Sequence, residues 1–237
     1  MSTRIIGHRG AAGSYPENTR VSILGAIKLG VRWIEVDVQP SLDGQLVVCH
    51  DHKINRCSNG KGRVDSFSLS ELKTFDFGTW FSHEFKDEPI LTLHELLIIA
   101  AEHQIGLNIE VKVDKHQIEP IVVSLKTELE RGLVSAENLV LSSFSHEVMR
   151  ALHRVCSDYR LGVISERYND KTQHLLQHIG AYSCHLNYKN LKQAHIDALH
   201  DNGQQVWCYT VNHADKFALL PQVDAIFTDY PERFTAN

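Results

Sequence analysis

The 237-residue chain has no long apolar run. Leu96–Ala101, its clearest candidate, falls far short of the ~18–20 residues that a membrane span requires. It has no charged-then-apolar leader. Met1-Ser2-Thr3-Arg4-Ile5-Ile6-Gly7 runs directly into a strand-like segment, so no export address is expected and the expected location is the cytoplasm. A basic stripe is missing too: 24 Lys and Arg face 29 Asp and Glu, a formal net charge of −5, and no nucleic-acid partner is expected. There is no Cys-x-x-Cys pair, and the five cysteines (Cys49, Cys57, Cys156, Cys184, Cys208) are odd in number. Both features argue against a disulfide framework and a thiolate zinc site, leaving small buried fillers in a reducing compartment. Apolar content is not lacking. At 43% apolar and 22% charged the chain is no disordered segment, and its length suits one domain of β/α-barrel size over residues 1–237.

What is present is a pattern that switches between strand and helix periodicity. A helix should follow Pro16-Glu17-Asn18-Thr19, capped by Asn18 or Thr19 and closed by Gly30. Trp33–Val38 alternates as a strand. Thr92-Leu93-His94-Glu95 has capping-box spacing, and Leu93, Leu96, Leu97, Ala100 and Ala101 then share one helical face. Strand-like segments that lead into helices fall near residues 6, 35, 109, 141, 163, 184, 208 and 226. Eight such units imply an α/β TIM (β/α)8 barrel. The rival, a doubly wound open sheet, lacks its Gly-x-Gly-x-x-Gly phosphate turn.

Two regions exceed a bare barrel. Asp43-Gly44 between apolar segments signals a hairpin that extends strand 2 and returns Cys49-His50-Asp51 to the barrel mouth. Residues 52–89 then mix polar turns with Phe67, Phe75, Phe77, Trp80, Phe81 and Phe85. That stretch is too long for a connection and too aromatic for disorder, so a small inserted subdomain after strand 2, capping the site, is expected.

Chemistry gathers where a barrel puts its active site, at the carboxyl ends of the strands. Strand 1 ends in His8-Arg9-Gly10. Strand 2 carries Glu35-Val36-Asp37, whose carboxylates share one face because residues i and i+2 of a strand point together. Their flanks, Trp33, Ile34, Val36 and Val38, are apolar, which argues against a merely solvated face. Two anions held together call for a cation, and an all-oxygen set suits Mg²⁺ or Ca²⁺. The next strand carries Glu110-Val111-Lys112. Glu110 can complete the metal shell and Lys112 supplies positive charge, the bland alternative being a simple ion pair. Arg9 offers a fork of donors that fits phosphate. His8 and His50 arrive from different elements and suit acid–base work near neutrality. Asp51 either orients His50 or opens the next loop. Asn18 reads as a helix cap and Asp229 as a structural residue at the barrel end. The other histidines read as loop or helix-surface residues, except His185, which ends a strand and could touch a ligand. Together these groups describe a phosphodiester site.

The same residues carry a resemblance. His8-Arg9-Gly10, Pro16-Glu17-Asn18-Thr19, Glu35-Val36-Asp37, Asp43-Gly44, Val47-Val48-Cys49-His50-Asp51, Glu110-Val111-Lys112, Val206–Asn212 and Asp224–Pro231 resemble the signature of the glycerophosphodiester phosphodiesterases, in order, from residue 5 to 231. The resemblance implies a TIM barrel with an insertion after strand 2. It implies metal-dependent hydrolysis of deacylated phospholipids, small-molecule glycerophosphodiesters, to sn-glycerol 3-phosphate and an alcohol. It places the acid–base pair on His8 and His50, the divalent metal on Glu35, Asp37 and Glu110, and phosphate on Arg9 and Lys112. Phe144 and Trp207 would line the glycerol side. The family commonly runs directly from that Trp to Thr, whereas Cys208-Tyr209 stand between Trp207 and Thr210 here.

Barrel phospholipases of the phosphatidylinositol-specific C type or the sphingomyelinase D type resemble the constellation in part. They need a lipid-facing rim, and no exposed apolar cluster is evident outside the aromatic insertion. A silent phosphodiester-binding module would be expected to lack a histidine or a carboxylate of the set, and all are present.

Overall fold

The computed structural model describes residues 3–235. Met1 and Ser2, on which the leader-free reading partly rests, and residues 236–237 of the expected domain lie outside them. Nine strands form among the described residues: β1 Arg4–His8, β2 Trp33–Pro40, β3 Leu46–Val48, β4 Gly106–Val111, β5 Leu139–Ser143, β6 Arg160–Ser165, β7 Ser183–Asn187, β8 Gln205–Tyr209 and β9 Ala225–Thr228. Eight are parallel, in the order β1-β9-β8-β7-β6-β5-β4-β2, and β1 also pairs with β2, so the ring closes into a TIM barrel. Each strand position expected from the sequence lies in one of these eight. β3 runs antiparallel to β2 outside the ring, across the turn at Asp43-Gly44.

The helices are α1 Arg20–Lys28, α2 Leu69–Leu72, α3 Leu93–His103, α4 Ile118–Leu129, α5 His146–Val155, α6 Asp170–His178, α7 Gln193–Asp201 and α8 Glu232–Thr235. Thr19 caps α1, its side chain accepting from the Ser22 N–H, and Gly30 follows at φ +86°. Thr92 and Glu95 form the reciprocal capping box of α3. No α-helix joins β8 to β9. That short connection, which contains Pro221, forms only 3₁₀ turns at Ala214–Lys216 and Leu220–Gln222.

Strand alternation divides the interior in two. Ile34, Val36 and Val38 of β2 and Leu107, Ile109 and Val111 of β4 face outward into the shell made with Leu96, Leu97, Leu125 and Val148. Each buried aliphatic side chain there contributes about 1.5–3 kcal/mol on leaving water, so this shell holds the barrel together. The lumen is filled by Ile6, Val140, Trp207, Ala225 and Phe227. Because the outward set is apolar, the intervening Glu35, Asp37, Asn108 and Glu110 are directed into the lumen.

Residues between β3 and α3 pack around their own cluster: Ile54, Val64, Leu72 and Phe77 with Val47, Cys49 and Ile90. Phe67 and Phe75 meet edge-on beside it at 5.3 Å. All five cysteines are buried and unpaired. Among the described residues no helix is long and apolar enough to cross a membrane.

Candidate active site

The site begins at the turn after β1. Arg9 and Gly10 lie at φ +51° and +89°. A Cβ on Gly10 would sit 2.6 Å from the Ser22 backbone carbon, so glycine is required where this turn meets α1. The turn aims the Arg9 N–H at Glu35 Oε2, 3.1 Å away. Glu35, Asp37 and Glu110 each offer an oxygen within 4.8 Å of the others, and all three are buried. The β2–β4 register, which sets Asp37 beside Glu110, brings the two strands' carboxylates to one level.

Two cations border them. Lys112 Nζ lies 2.6 Å from Glu110 Oε1 and 3.1 Å from Asp37 Oδ1. Arg9 Nε lies 3.3 Å from Asp37 Oδ2 and its Nη1 donates to Glu17 Oε1 at 2.7 Å. Asn18, expected as a cap, instead adopts φ +59° and donates Nδ2–H to Asp37 Oδ2 at 2.9 Å. Each histidine is held at Nδ1 by a carboxylate. His8 Nδ1 is 2.6 Å from Asp229 Oδ1, with its Nε2 3.8 Å from Glu35. His50 Nδ1 is 2.8 Å from Asp51 Oδ1. Of the two readings of Asp51, the geometry thus favours orientation of His50.

The electrostatics are those of crowded acids. Burial and the charges of Asp37 and Glu110 push Glu35 well above the usual carboxylate range. Burial and Asp37 raise Glu110 to about 7 despite Lys112. Burial also acts to raise Asp37, but Lys112, Arg9 and the Asn18 hydrogen bond hold it below its ordinary value. His50 is lowered chiefly by burial, aided by Arg9 and Lys112 and opposed by Asp37. Asp37 Oδ1 is buried, and its one neighbouring cation is Lys112, 3.1 Å away. Three converging buried acids, two of them raised by burial and by a neighbouring carboxylate's charge, fit a hard divalent cation that would relieve the repulsion.

An open cavity of about 190 Å³ covers the cluster, lined among others by His8, Arg9, Glu35, His50, Glu110, Lys112 and Phe144. Trp207 does not line it. It is fully buried one layer down, stacked on His185 at 4.7 Å, with its indole N–H donated to Gln205. Tyr209, two residues on and so on the same face of β8, takes the place at the mouth, edge-on to Phe144 at 5.9 Å. Tyr209, the residue directly before Thr210, thus stands at the pocket wall where the resemblance put Trp207.

The cavity floor carries two buried polar atoms without partners, Asn108 Oδ1 and His185 Nδ1. Burial lowers His185 to about 3, so its ring is neutral, with Nε2 engaged by Ser183 Oγ at 2.8 Å. No lining residue comes from 52–89. Asp229, structural by its place in the sequence, anchors His8 in the fold; it directly follows the last strand, which in a closed barrel lies beside the first.

Fold and mouth together define a class: a closed β/α barrel whose strand ends hold a buried carboxylate cluster between two carboxylate-anchored histidines. The chain belongs to the glycerophosphoryl diester phosphodiesterase family, with a match spanning residues 8–233. It is 32% identical over 241 residues to a glycerophosphodiester phosphodiesterase of Caldanaerobacter subterraneus subsp. tengcongensis, covering 98% of this chain and 96% of that one. It is 33% identical over 236 residues to a glycerophosphodiester phosphodiesterase of Bacillus altitudinis, with 98% and 96% covered. A solved Oleispira antarctica phosphodiesterase, in complex with the product sn-glycerol-3-phosphate, is similar at a TM-score of 0.93 and 28% identity, over 98% of this chain and 95% of that one.

Proposed function

We propose that this protein hydrolyses glycerophosphodiesters to sn-glycerol 3-phosphate and an alcohol, with a divalent cation, Mg²⁺ or Ca²⁺, held by Glu35, Asp37 and Glu110. The observation that carries the reading is the convergence of those three buried carboxylates within 4.8 Å, with Glu35 and Glu110 lining a cavity bordered by Arg9, Lys112, His8 and His50. The relatives' names and the product held by the Oleispira antarctica enzyme point to the same reaction.

When bound, the cation would act as a Lewis acid on the phosphoryl oxygens. The protein's own groups do the rest. Arg9 and Lys112 offset the charge of the phosphodiester. Asp229 and Asp51 hold Nδ1 of His8 and His50, which leaves each Nε2 to move a proton. One histidine takes the proton of the nucleophile and the other gives one to the leaving oxygen; water is consumed either as that nucleophile or in opening a cyclic phosphate formed by a neighbouring glycerol hydroxyl. Asn108 Oδ1 and His185 Nδ1, both unpartnered on the floor, suit the hydroxyls of a polyol. Phe144 and Tyr209 wall the mouth. Five unpaired buried cysteines favour a reducing compartment, in line with a cytoplasmic enzyme.

The test is release of glycerol 3-phosphate from glycerophosphocholine, glycerophosphoethanolamine, glycerophosphoglycerol and glycerophosphoinositol, and release of the head group, free or phosphorylated, from a lysophospholipid, each with Mg²⁺, Ca²⁺ or Mn²⁺. Release from the deacylated diesters only in the presence of a cation is expected. No release from any of the deacylated diesters with any cation would overturn the reading, and head-group release from the lysophospholipid alone would replace it with a phospholipase.

A further inference from the structure

The roles of Arg9 and His50 rest on two carboxylates that touch nothing in the reaction: Glu17, which accepts from Arg9, and Asp51, which anchors His50. One side chain ties these two together. Arg56 donates Nη1–H to Glu17 Oε2 at 2.7 Å and Nη2–H to Glu17 Oε1 at 2.8 Å. It also donates Nε–H to Asp51 Oδ2 at 2.8 Å and Nη2–H to Asp51 Oδ1 at 3.0 Å. A single guanidinium therefore forks both carboxylates at once. Arg56 belongs to the segment 52–89, none of whose residues lines the cavity.

We infer that Arg56 is a positioning residue, through which the inserted segment sets the relative placement of the phosphate-binding Arg9 and the proton-transferring His50. The chain of contacts is continuous: His50, Asp51, Arg56, Glu17, Arg9, Asp37. Glu17 comes from the loop between β1 and α1, and Asp51 follows β3; strand pairing and the Gln39 bond to the Asp51 carbonyl place their backbones, and the planar fork joins their carboxylates. Lysine could supply the charge, but its ammonium is a point with no two-sided plane and cannot make both paired contacts. Without Arg56, Glu17 would keep only Arg9, and Asp51 would be free to rotate and take His50 Nδ1 with it. A displacement of about 1 Å at such a group costs on the order of 10²-fold in rate.

This inference rests on the proposed diesterase reading, and the experiment separates the two. Arg56→Met and Arg56→Lys are measured for kcat and KM against glycerophosphocholine with saturating Mg²⁺. Both also enter the Glu17→Gln/Asp51→Asn background. Independently of turnover, the ¹⁵N shifts of the His50 ring are read in each protein. Arg56→Met should lower kcat about 30- to 100-fold and raise KM severalfold. Arg56→Lys should recover less than a tenth of the lost kcat. In the Glu17→Gln/Asp51→Asn background, Arg56→Met should cost no more than twofold further. The His50 Nδ1 resonance should move or broaden in Arg56→Met.

Two results would overturn the inference. One is a lower Tm with wild-type kcat, KM and His50 resonances, which would make Arg56 a brace of the inserted segment alone. The other is a full additional loss in the double-variant background. Should the wild-type protein hydrolyse no diester, the diesterase reading fails, and the His50 resonances still decide whether Arg56 sets that ring.

Discussion

His8 Nδ1 lies 2.6 Å from Asp229 Oδ1, a contact between residues 221 apart in the chain. It exists because β1 and β9 are neighbours in the closed ring. Asp229 is itself fixed by Asn212, which donates to its Oδ2 at 2.7 Å and accepts from its N–H at 2.9 Å. The last strand's loop thereby sets the ring orientation of a histidine on the first.

Asp229→Asn should therefore impair catalysis while sparing the fold. The amide keeps the shape but not the charge that holds one tautomer of His8. A loss of about 10²-fold or more in kcat is expected, and His8→Ala should cost about 10²–10⁴. The double variant should be no slower than His8→Ala alone. Additive losses, measured by steady-state kinetics beside circular dichroism, would show that Asp229 acts elsewhere.

Metal titration should separate Glu110 from Lys112, although they are two residues apart and their charged atoms lie 2.6 Å apart. Chelation should abolish turnover and an added hard cation restore it. Glu110→Gln should raise the cation concentration needed for half activity. Lys112→Met should leave cation affinity unchanged or tighter, since a charge paired with the same carboxylates is gone, and should lower kcat/KM. Equal weakening in both variants, read by calorimetry, would reduce the two residues to a structural ion pair.

Stability should fall with acid earlier than carboxylate protonation explains. Burial lowers His185 from its ordinary 6.5 to about 3 in the folded state. Between those values the unfolded chain binds a proton that the folded chain refuses. The stability contributed by neutral His185 is complete above about pH 6.5 and is lost as pH falls toward 3, at up to about 1.4 kcal/mol per pH unit. His185→Gln should flatten Tm against pH across that window. An unchanged slope would mean that other groups carry the acid sensitivity.

Trp207 and Phe144, a pair by sequence resemblance, should behave differently. Trp207 is fully buried, and truncation to alanine should cost about 3–5 kcal/mol of stability. Phe144 is 45% exposed at the mouth, so Phe144→Ala should leave the urea midpoint nearly unchanged and raise KM. Urea melts and Michaelis curves on both variants check this. Comparable stability losses would place Phe144 in the core.

Much of this protein is legible in one dimension. Period-two alternation shows that Glu35 and Asp37 share a face, as do Glu110 and Lys112, and apolar flanks show that the face is an inner one. Asp43-Gly44 marks the hairpin, and eight strand segments mark the barrel. These are local properties, dictated by backbone geometry and by which side chains avoid water. Which side chain of an inward row stands at the mouth is a different matter. It depends on the register between neighbouring strands, which seats Trp207 beside His185 in the core and Tyr209 beside Asn187 at the rim. Asn18 looks like a cap until the left-handed turn swings its amide onto Asp37. Arg56 is one more charge in a polar loop until folding puts it between Glu17 and Asp51. Nor does any spacing pair His8 with Asp229, because that contact forms only when the sheet closes and its first and last strands meet. Sequence alone determined the chemical inventory and the faces it occupies. Ring closure and register, which are long-range packing choices, decided which of those groups meet.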